Sequence, residues 1–210
     1  MSDNNVNDYG WNDTASPESC GYIIPKILDL LKETQASNVV DIGSGNGSLV
    51  NVLHNNNYKA VGVEYDKKGV DISNQAYPHS NFYNFGVQDD PSLLLETEKL
   101  FDVVISTEVI EHLYSPQLLV QYANSILTPE GYLIISTPYH GYLKNLALSI
   151  FNKWDKHFTV LWQGGHIKFW SKNTLSQLLL ENGFKVKDFA GVGRFPYLWK
   201  SMIVVAQKLK

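Results

Sequence analysis

Just past an apolar run, Phe101 to Thr107 (FDVVIST), the chain places Glu108, Glu111 and His112 together. The spacing is i, i+3, i+4. A helical turn beginning there would set all three side chains on one face. Two carboxylates and an imidazole can ligate a hard or borderline divalent ion such as Mg2+. They can also supply a general base, with His112 or Glu108 taking a proton, or simply close a polar network.

A second group lies earlier. Asp41-Ile-Gly43-Ser-Gly45-Asn-Gly47 follows the apolar run NVVDI and precedes a segment with helical spacing. Glycines let the backbone turn tightly and approach a ligand with no Cβ in the way. The helix beyond offers unpaired N–H groups. A dinucleotide turn, G-x-G-x-x-G, would put its third glycine at position 48, which is Ser48. The spacing is D-x-G-x-G-x-G instead, which disfavours an NAD-linked oxidoreductase. About twenty residues on, the next apolar run ends in Val63-Glu64-Tyr65-Asp66, where a carboxylate can accept hydrogen bonds from both hydroxyls of a ribose.

These residues need a scaffold, and the periodicity predicts one. Strands are expected at 38–42, 59–64, 81–87, 101–107, 132–137, 184–189 and 200–206. Helices are expected at 23–35, 47–55, 67–75, 115–127 and 171–181. Alternation of this kind predicts an α/β fold, a doubly wound sheet of about seven strands with helices on both faces. The last two runs are joined by too short a loop for a crossover helix. They should pair antiparallel, giving a mostly parallel sheet with an antiparallel edge strand. Ligands in such sheets bind beyond the carboxyl ends of the strands.

The motif order resembles the class I S-adenosylmethionine-dependent methyltransferases, from about Ile23 to Ala206. The resemblance implies a Rossmann-like sheet and S-adenosyl-L-methionine as cofactor. It places Asp41, Gly43, Gly45 and Gly47 beneath the methionine and ribose, Glu64 on the ribose diol and Tyr65 beside the adenine. Thr107 belongs to the same set, and Val87 and Gln88 fall at the adenine edge. There the sequence departs from the family, which often has Asp followed by an apolar residue. The E-x-x-E-H segment resembles two metal-using branches: the ubiquinone-biosynthesis O-methyltransferases and the small-RNA 3′-terminal 2′-O-methyltransferases. Both carry a further histidine, for which this chain offers His166 in Gly164-Gly165-His166-Ile-Lys-Phe169. The implied metal set is Glu108, Glu111, His112 and His166. The implied catalytic set is His112, His166 and Glu108, and a metal-free base at His112 or His166 stays open.

The 210 residues form one domain over 19–210, preceded by a polar arm over 1–18 expected to be mobile. Tyr9 and Trp11 in that arm are expected to fold over the cofactor. Residues 138–170 form an insertion at the acceptor site, with eight aromatics, three of the six histidines, and four lysines against one aspartate. It is expected to wall the pocket of a small-molecule acceptor. Helical spacing at Leu143, Leu146, Ile150 and Trp154 also allows a peripheral membrane contact, or packing as a dimer or core element. His140, His157, Lys144 and Lys156 read as solvated unless the pocket includes them, and Arg194 as either a hold for an anionic acceptor or a plain surface residue.

A formal charge of −4 argues against nucleic acid as partner, and hence against RNA as the acceptor. One cysteine excludes a disulfide framework, and the N-terminus is no signal peptide, which points to the cytoplasm. The expected activity is O-methylation of a phenol, quinone precursor or sugar. A cofactor-binding module without turnover, serving a partner protein, is the rival reading outside enzymes.

Overall fold

A computed structural model describes residues 10–158, 161, 162 and 164–210, the side chain of Lys156 excepted. Tyr9 therefore lies outside the described residues. The strands are β1 (Asn38–Ile42), β2 (Lys59–Val63), β3 (Asn81–Tyr83), β4 (Phe101–Thr107), β5 (Leu127–Pro138), β6 (Phe184–Val192) and β7 (Ser201–Lys208). They form one sheet in the order β3-β2-β1-β4-β5-β7-β6. β1 to β5 run parallel, and β7 slots between β5 and β6, antiparallel to both.

Period two along the central strands sorts side chains onto two faces. Val39, Val103, Ile105, Ile134 and Ile203 pack with Ile23, Ile27 and Leu31 of α1 (Cys20–Thr34) and Leu49 and Leu53 of α2 (Ser48–Asn55). Val40, Val104, Leu133, Ile135 and Val204 face Leu119, Ala123 and Ile126 of α5 (Pro116–Ile126), and Leu175 and Leu179 of α8 (Lys172–Glu181). Burial on both faces explains why these strands read as continuous apolar runs. α3 (Lys67–Ala76) covers the β2–β3 side, and Asp66 caps it by accepting from the Lys68 N–H at 2.9 Å.

The third strand is shorter than its sequence suggests. It has one neighbour, and beyond Tyr83 the Asn84 amide donates to the carbonyls of Glu64 (2.9 Å) and Tyr65 (2.8 Å). The chain leaves the ladder there and closes a turn in which the Gly86 N–H donates to Asp89. A four-residue helix, α4 (Ser92–Leu95), follows and seats Leu94 in the core. The fifth strand starts earlier than expected and runs through the Thr128–Gly131 segment, with Glu130 at φ +63°. The insertion carries α6 (Tyr142–Ile150) and α7 (Trp154–Phe158).

Strand order reverses between β1 and β4, so the loops leaving them diverge. A cavity of about 580 Å³ opens there at the carboxyl ends, as the topology demands.

Candidate functional site

The glycine turn is held by short-range bonds. The Gly43 and Ser44 N–H groups donate to the Val63 carbonyl at 2.8 and 3.1 Å, so the β1–α2 turn hangs on the end of β2. Gly43, Gly45 and Gly47 have φ of +78°, +55° and +77°. Gly43 and Gly45 line the cavity; Gly47 lies behind it, against Phe82 and Ser73. Glu64 ties the same turn from the other side. One oxygen accepts from the Gly45 N–H at 2.7 Å, the other from the Asp66 N–H at 2.8 Å. Burial raises its pKa, and the backbone donors oppose that rise.

Asp41 is fully buried at the floor of the cavity. Its Oδ1 has no hydrogen-bond partner among the described residues. Burial, aided by the charge of Glu64, pushes its carboxyl up to about 8. Tyr65, Val87, Gln88 and Thr107 also line the cavity, as do Cys20 and the Trp11 ring. Trp11 lies against Gly45: a Cβ there would come within 2.3 Å of the indole. The backbone after Trp11 is tied down by Asn46, whose amide donates to the carbonyls of Asp13 (3.0 Å) and Ala15 (2.9 Å).

Three carboxylates, Asp41, Glu64 and Glu108, line this cavity, and among the described residues no lysine or arginine does. Such a lining suits a cation and rejects a pyrophosphate. The orphaned Asp41 oxygen and the donor-fixed Glu64 fit a ligand that brings an ammonium, a sulfonium and a ribose.

The Glu-Glu-His segment is not a helical face. Glu108 takes φ +54° and is followed by a single 3-10 turn, Ile110–His112. This corrects the expected shared face. Glu108 accepts from Ser136 Oγ (2.8 Å) and Ser201 Oγ (3.1 Å), and burial raises it to about 7. Glu111 is buried and accepts from Thr137 Oγ1 at 3.0 Å, while its Oε1 has no hydrogen-bond partner among the described residues. Burial and the neighbouring Glu108 charge raise its pKa well above the ordinary carboxyl value.

His166 arrives from the insertion because the Ile167 and Lys168 N–H groups both donate to the Glu111 carbonyl, at 2.9 and 3.0 Å. Its ring centre lies 4.9 Å from that of His112. His112 Nδ1 donates to the Gly164 carbonyl, which leaves the lone pair on Nε2, 4.0 Å from Glu111 Oε1. Burial lowers the pKa of both histidines, His166 to about 4, so both are neutral at pH 7. Glu111, His112 and His166 thus present ligand atoms within 4.8 Å of one another; Glu108 is not in this group.

Much of the insertion turns elsewhere. Among its described residues only Trp162 and His166 line the cavity. His140 and Lys144, expected to be solvated, are buried, with Lys144 Nζ donating to the Lys200 carbonyl at 3.1 Å. Arg194 is exposed on the β6–β7 loop and does not line the cavity. Sequence reasoning passed over the hydroxyls of Ser136, Thr137 and Ser201, since single hydroxyls inside apolar strands carry no spacing signal.

The fold and the site define a class I S-adenosylmethionine-dependent methyltransferase. A methyltransferase-domain family model matches residues 18–188, and the chain belongs to that family. A ubiquinone biosynthesis O-methyltransferase of Coxiella burnetii (strain RSA 493 / Nine Mile phase I) is 23% identical over 192 residues, covering 89% of this chain and 81% of that protein. One from Rickettsia canadensis (strain McKiel) is 24% identical over 193 residues, covering 90% and 80%. Among solved structures, the magnesium protoporphyrin IX methyltransferase of Synechocystis PCC 6803 with bound SAH superposes with a TM-score of 0.64. It is 18% identical and covers 88% of this chain and 81% of that one.

The glycine turn yields a direct test. A Cβ on Gly43 would lie 2.3 Å from Val109 Cγ2, on a backbone at φ +78°. Gly43→Ala is expected to lose about 1–2 kcal/mol of folding stability in urea titrations. S-adenosylhomocysteine binding by the same variant should weaken more than about tenfold in calorimetry.

Proposed function

We propose that this methyltransferase transfers the methyl group to a hydroxyl of a small molecule, a phenol, quinone precursor or sugar. One observation carries the reading: two neutral imidazoles, His112 and His166, stand with ring centres 4.9 Å apart and line the same cavity as the glycine turn, Glu64 and Glu108. Methyl transfer from a sulfonium needs an in-line nucleophile within attack distance, and the protein's main task is alignment. A neutral imidazole that accepts the hydroxyl proton makes that oxygen a better nucleophile. Both histidines hold a lone pair at neutral pH because burial keeps them deprotonated. The two ubiquinone-pathway relatives agree with an O-linked acceptor.

The orphaned Glu111 Oε1 favours a second role for the same group. Glu111, His112 and His166 fit a divalent cation, with the carboxylate and two imidazole nitrogens as donors. When bound, such an ion supplies a Lewis acid that lowers the pKa of a coordinated hydroxyl. His112 is prepared for either role, since its bond to the Gly164 carbonyl fixes the tautomer with Nε2 toward Glu111.

Titration calorimetry decides the cofactor and the metal separately. S-adenosylhomocysteine should bind in the micromolar range with chelator present, and no binding would sink the reading. Direct titration with Mg2+, Mn2+ or Zn2+ should show one site that the double variant Glu111→Ala, His112→Ala loses. Heat unchanged by that double variant would leave the imidazoles as bases alone. Turnover of catechol and phenol probes, with His166→Ala lowering kcat by about 100-fold or more, tests the hydroxyl assignment.

A further inference from the structure

Residues 10–18 belong to no helix or strand, and all but the half-buried Trp11 are exposed. The two bulky apolar side chains of this arm, Trp11 and Pro17, both line the cavity. What holds the arm is polar and comes from the body of the fold. Asn46 is buried between two glycines of the turn, and its amide donates to the carbonyls of Asp13 and Ala15. Its Oδ1 meets the Ser48 N–H only at 3.4 Å, so the arm takes the better bonds of this side chain. Lys68 Nζ, at the start of α3, donates to Asn12 Oδ1 at 2.8 Å, and Lys200 pairs with Glu18.

Two glycines on separate elements make the seat for Trp11. A Cβ on Gly45 would come within 2.3 Å of the indole, and one on Gly69 within 3.2 Å of its Cδ1. Gly69 lies in the first turn of α3, where propensity alone disfavours glycine. The same Cβ position on Gly69 lies 3.3 Å from Glu64 Cγ, so the indole stands beside the carboxylate that ends β2. With the indole in place the cavity still measures about 580 Å³, within the range of small-ligand sites. Trp11 is therefore a wall of the site and not a plug in it. A stiff aromatic ring gives much contact area for little lost side-chain freedom.

We infer that Asn46 latches the 10–18 arm across the cavity, that Trp11 is an aromatic wall of the cofactor site, and that this latch sets how long the cofactor stays bound. The inference needs no assignment of the methyl acceptor. Spent cofactor must leave before the next turnover, and affinity changes within one site fall mostly on the rate of leaving. Loosening the arm should therefore speed release without slowing entry.

Stopped-flow exchange of S-adenosylhomocysteine on the full chain tests this. Asn46→Ala and Trp11→Ala should each raise the dissociation rate about tenfold, with association within about threefold of the parent. Trp11→Phe should restore most of the slow release. Both alanine changes act through one arm, so the double variant should release within about twofold of Trp11→Ala alone. Deleting residues 1–15, which leaves Asn46 in place, should give the same fast release. Hydrogen exchange supplies a second readout. Amides of residues 11–16 should gain about tenfold protection with S-adenosylhomocysteine in the parent and little in Asn46→Ala. Release from Trp11→Ala within about twofold of the parent would remove the indole from the site. Tighter binding by Trp11→Ala would make the indole a plug. Multiplied rates in the double variant would confine Asn46 to shaping the turn. Arm exchange indifferent to S-adenosylhomocysteine would end the latch.

Discussion

Glu64→Ala should weaken S-adenosylhomocysteine binding by about 100-fold or more, with secondary structure by circular dichroism unchanged. Two hydrogen bonds from ribose hydroxyls to a charged acceptor contribute about 1.5 kcal/mol each at the low end, and about 3 kcal/mol is two decades of affinity. The side chain has a second task in the free protein. Its oxygens fix the Gly45 and Asp66 N–H groups, and so the glycine turn and the start of α3. Glu64→Gln should be almost as damaging despite its shape, because its amide NH2 must then face one of those two backbone donors. Calorimetry on both variants checks this, and an affinity within about threefold of the parent for either would remove Glu64 from the ribose.

The β1 turn and Glu64 were legible because their constraint is local. Only glycine tolerates the positive φ at 43, 45 and 47 cheaply, and a carboxylate at a strand end points into the crevice whatever surrounds it. The sheet was legible for a related reason. Strands buried on both faces must be apolar throughout, and the helices between them keep their stripes. The third strand was overread because edge pairing depends on a competitor, the Asn84 amide, that periodicity does not register.

The Glu-Glu-His segment and the insertion show the opposite case. Spacing alone put Glu108, Glu111 and His112 on one face, but Glu108 adopts φ +54° because Ser136 and Ser201, far along the chain, hold its carboxylate. Tertiary partners thus overrode the local pattern. In α6 the amphipathic stripe was real and its direction was not. Periodicity states that a helix has an apolar face; it does not state which way that face turns. Here Lys144 turns inward, held by the Lys200 carbonyl, and the apolar side is left outward.

Asp41→Asn should stabilise the free protein and cripple cofactor binding together. The Asp41 carboxyl stands at about 8 in the fold, against about 3.9 for an unfolded aspartate. Between those values the native state holds a proton that the unfolded chain has released, so folding stability from this group falls as pH rises from about 4 to about 8. Asparagine never ionises. Its variant should therefore melt near the parent at pH 5 and several degrees higher at pH 8.5 in scanning calorimetry. The cofactor reverses the preference, because its ammonium favours the ionised carboxylate in a cavity that, among the described residues, no lysine or arginine lines. Parent affinity for S-adenosylhomocysteine should rise as pH climbs toward 8, with up to one proton released on binding at lower pH. That proton is measurable from binding heats in buffers of different ionisation enthalpy. The variant should bind about 30-fold more weakly at pH 8.5, release no such proton and lose this part of the pH dependence, about 2 kcal/mol being the scale of one charge-assisted bond. A variant that binds as tightly as the parent at pH 8.5 would show that Asp41 shapes the turn without meeting the cofactor. The opposed signs separate the two roles: a residue kept only for architecture should not make the empty protein less stable at the pH where its partner binds best.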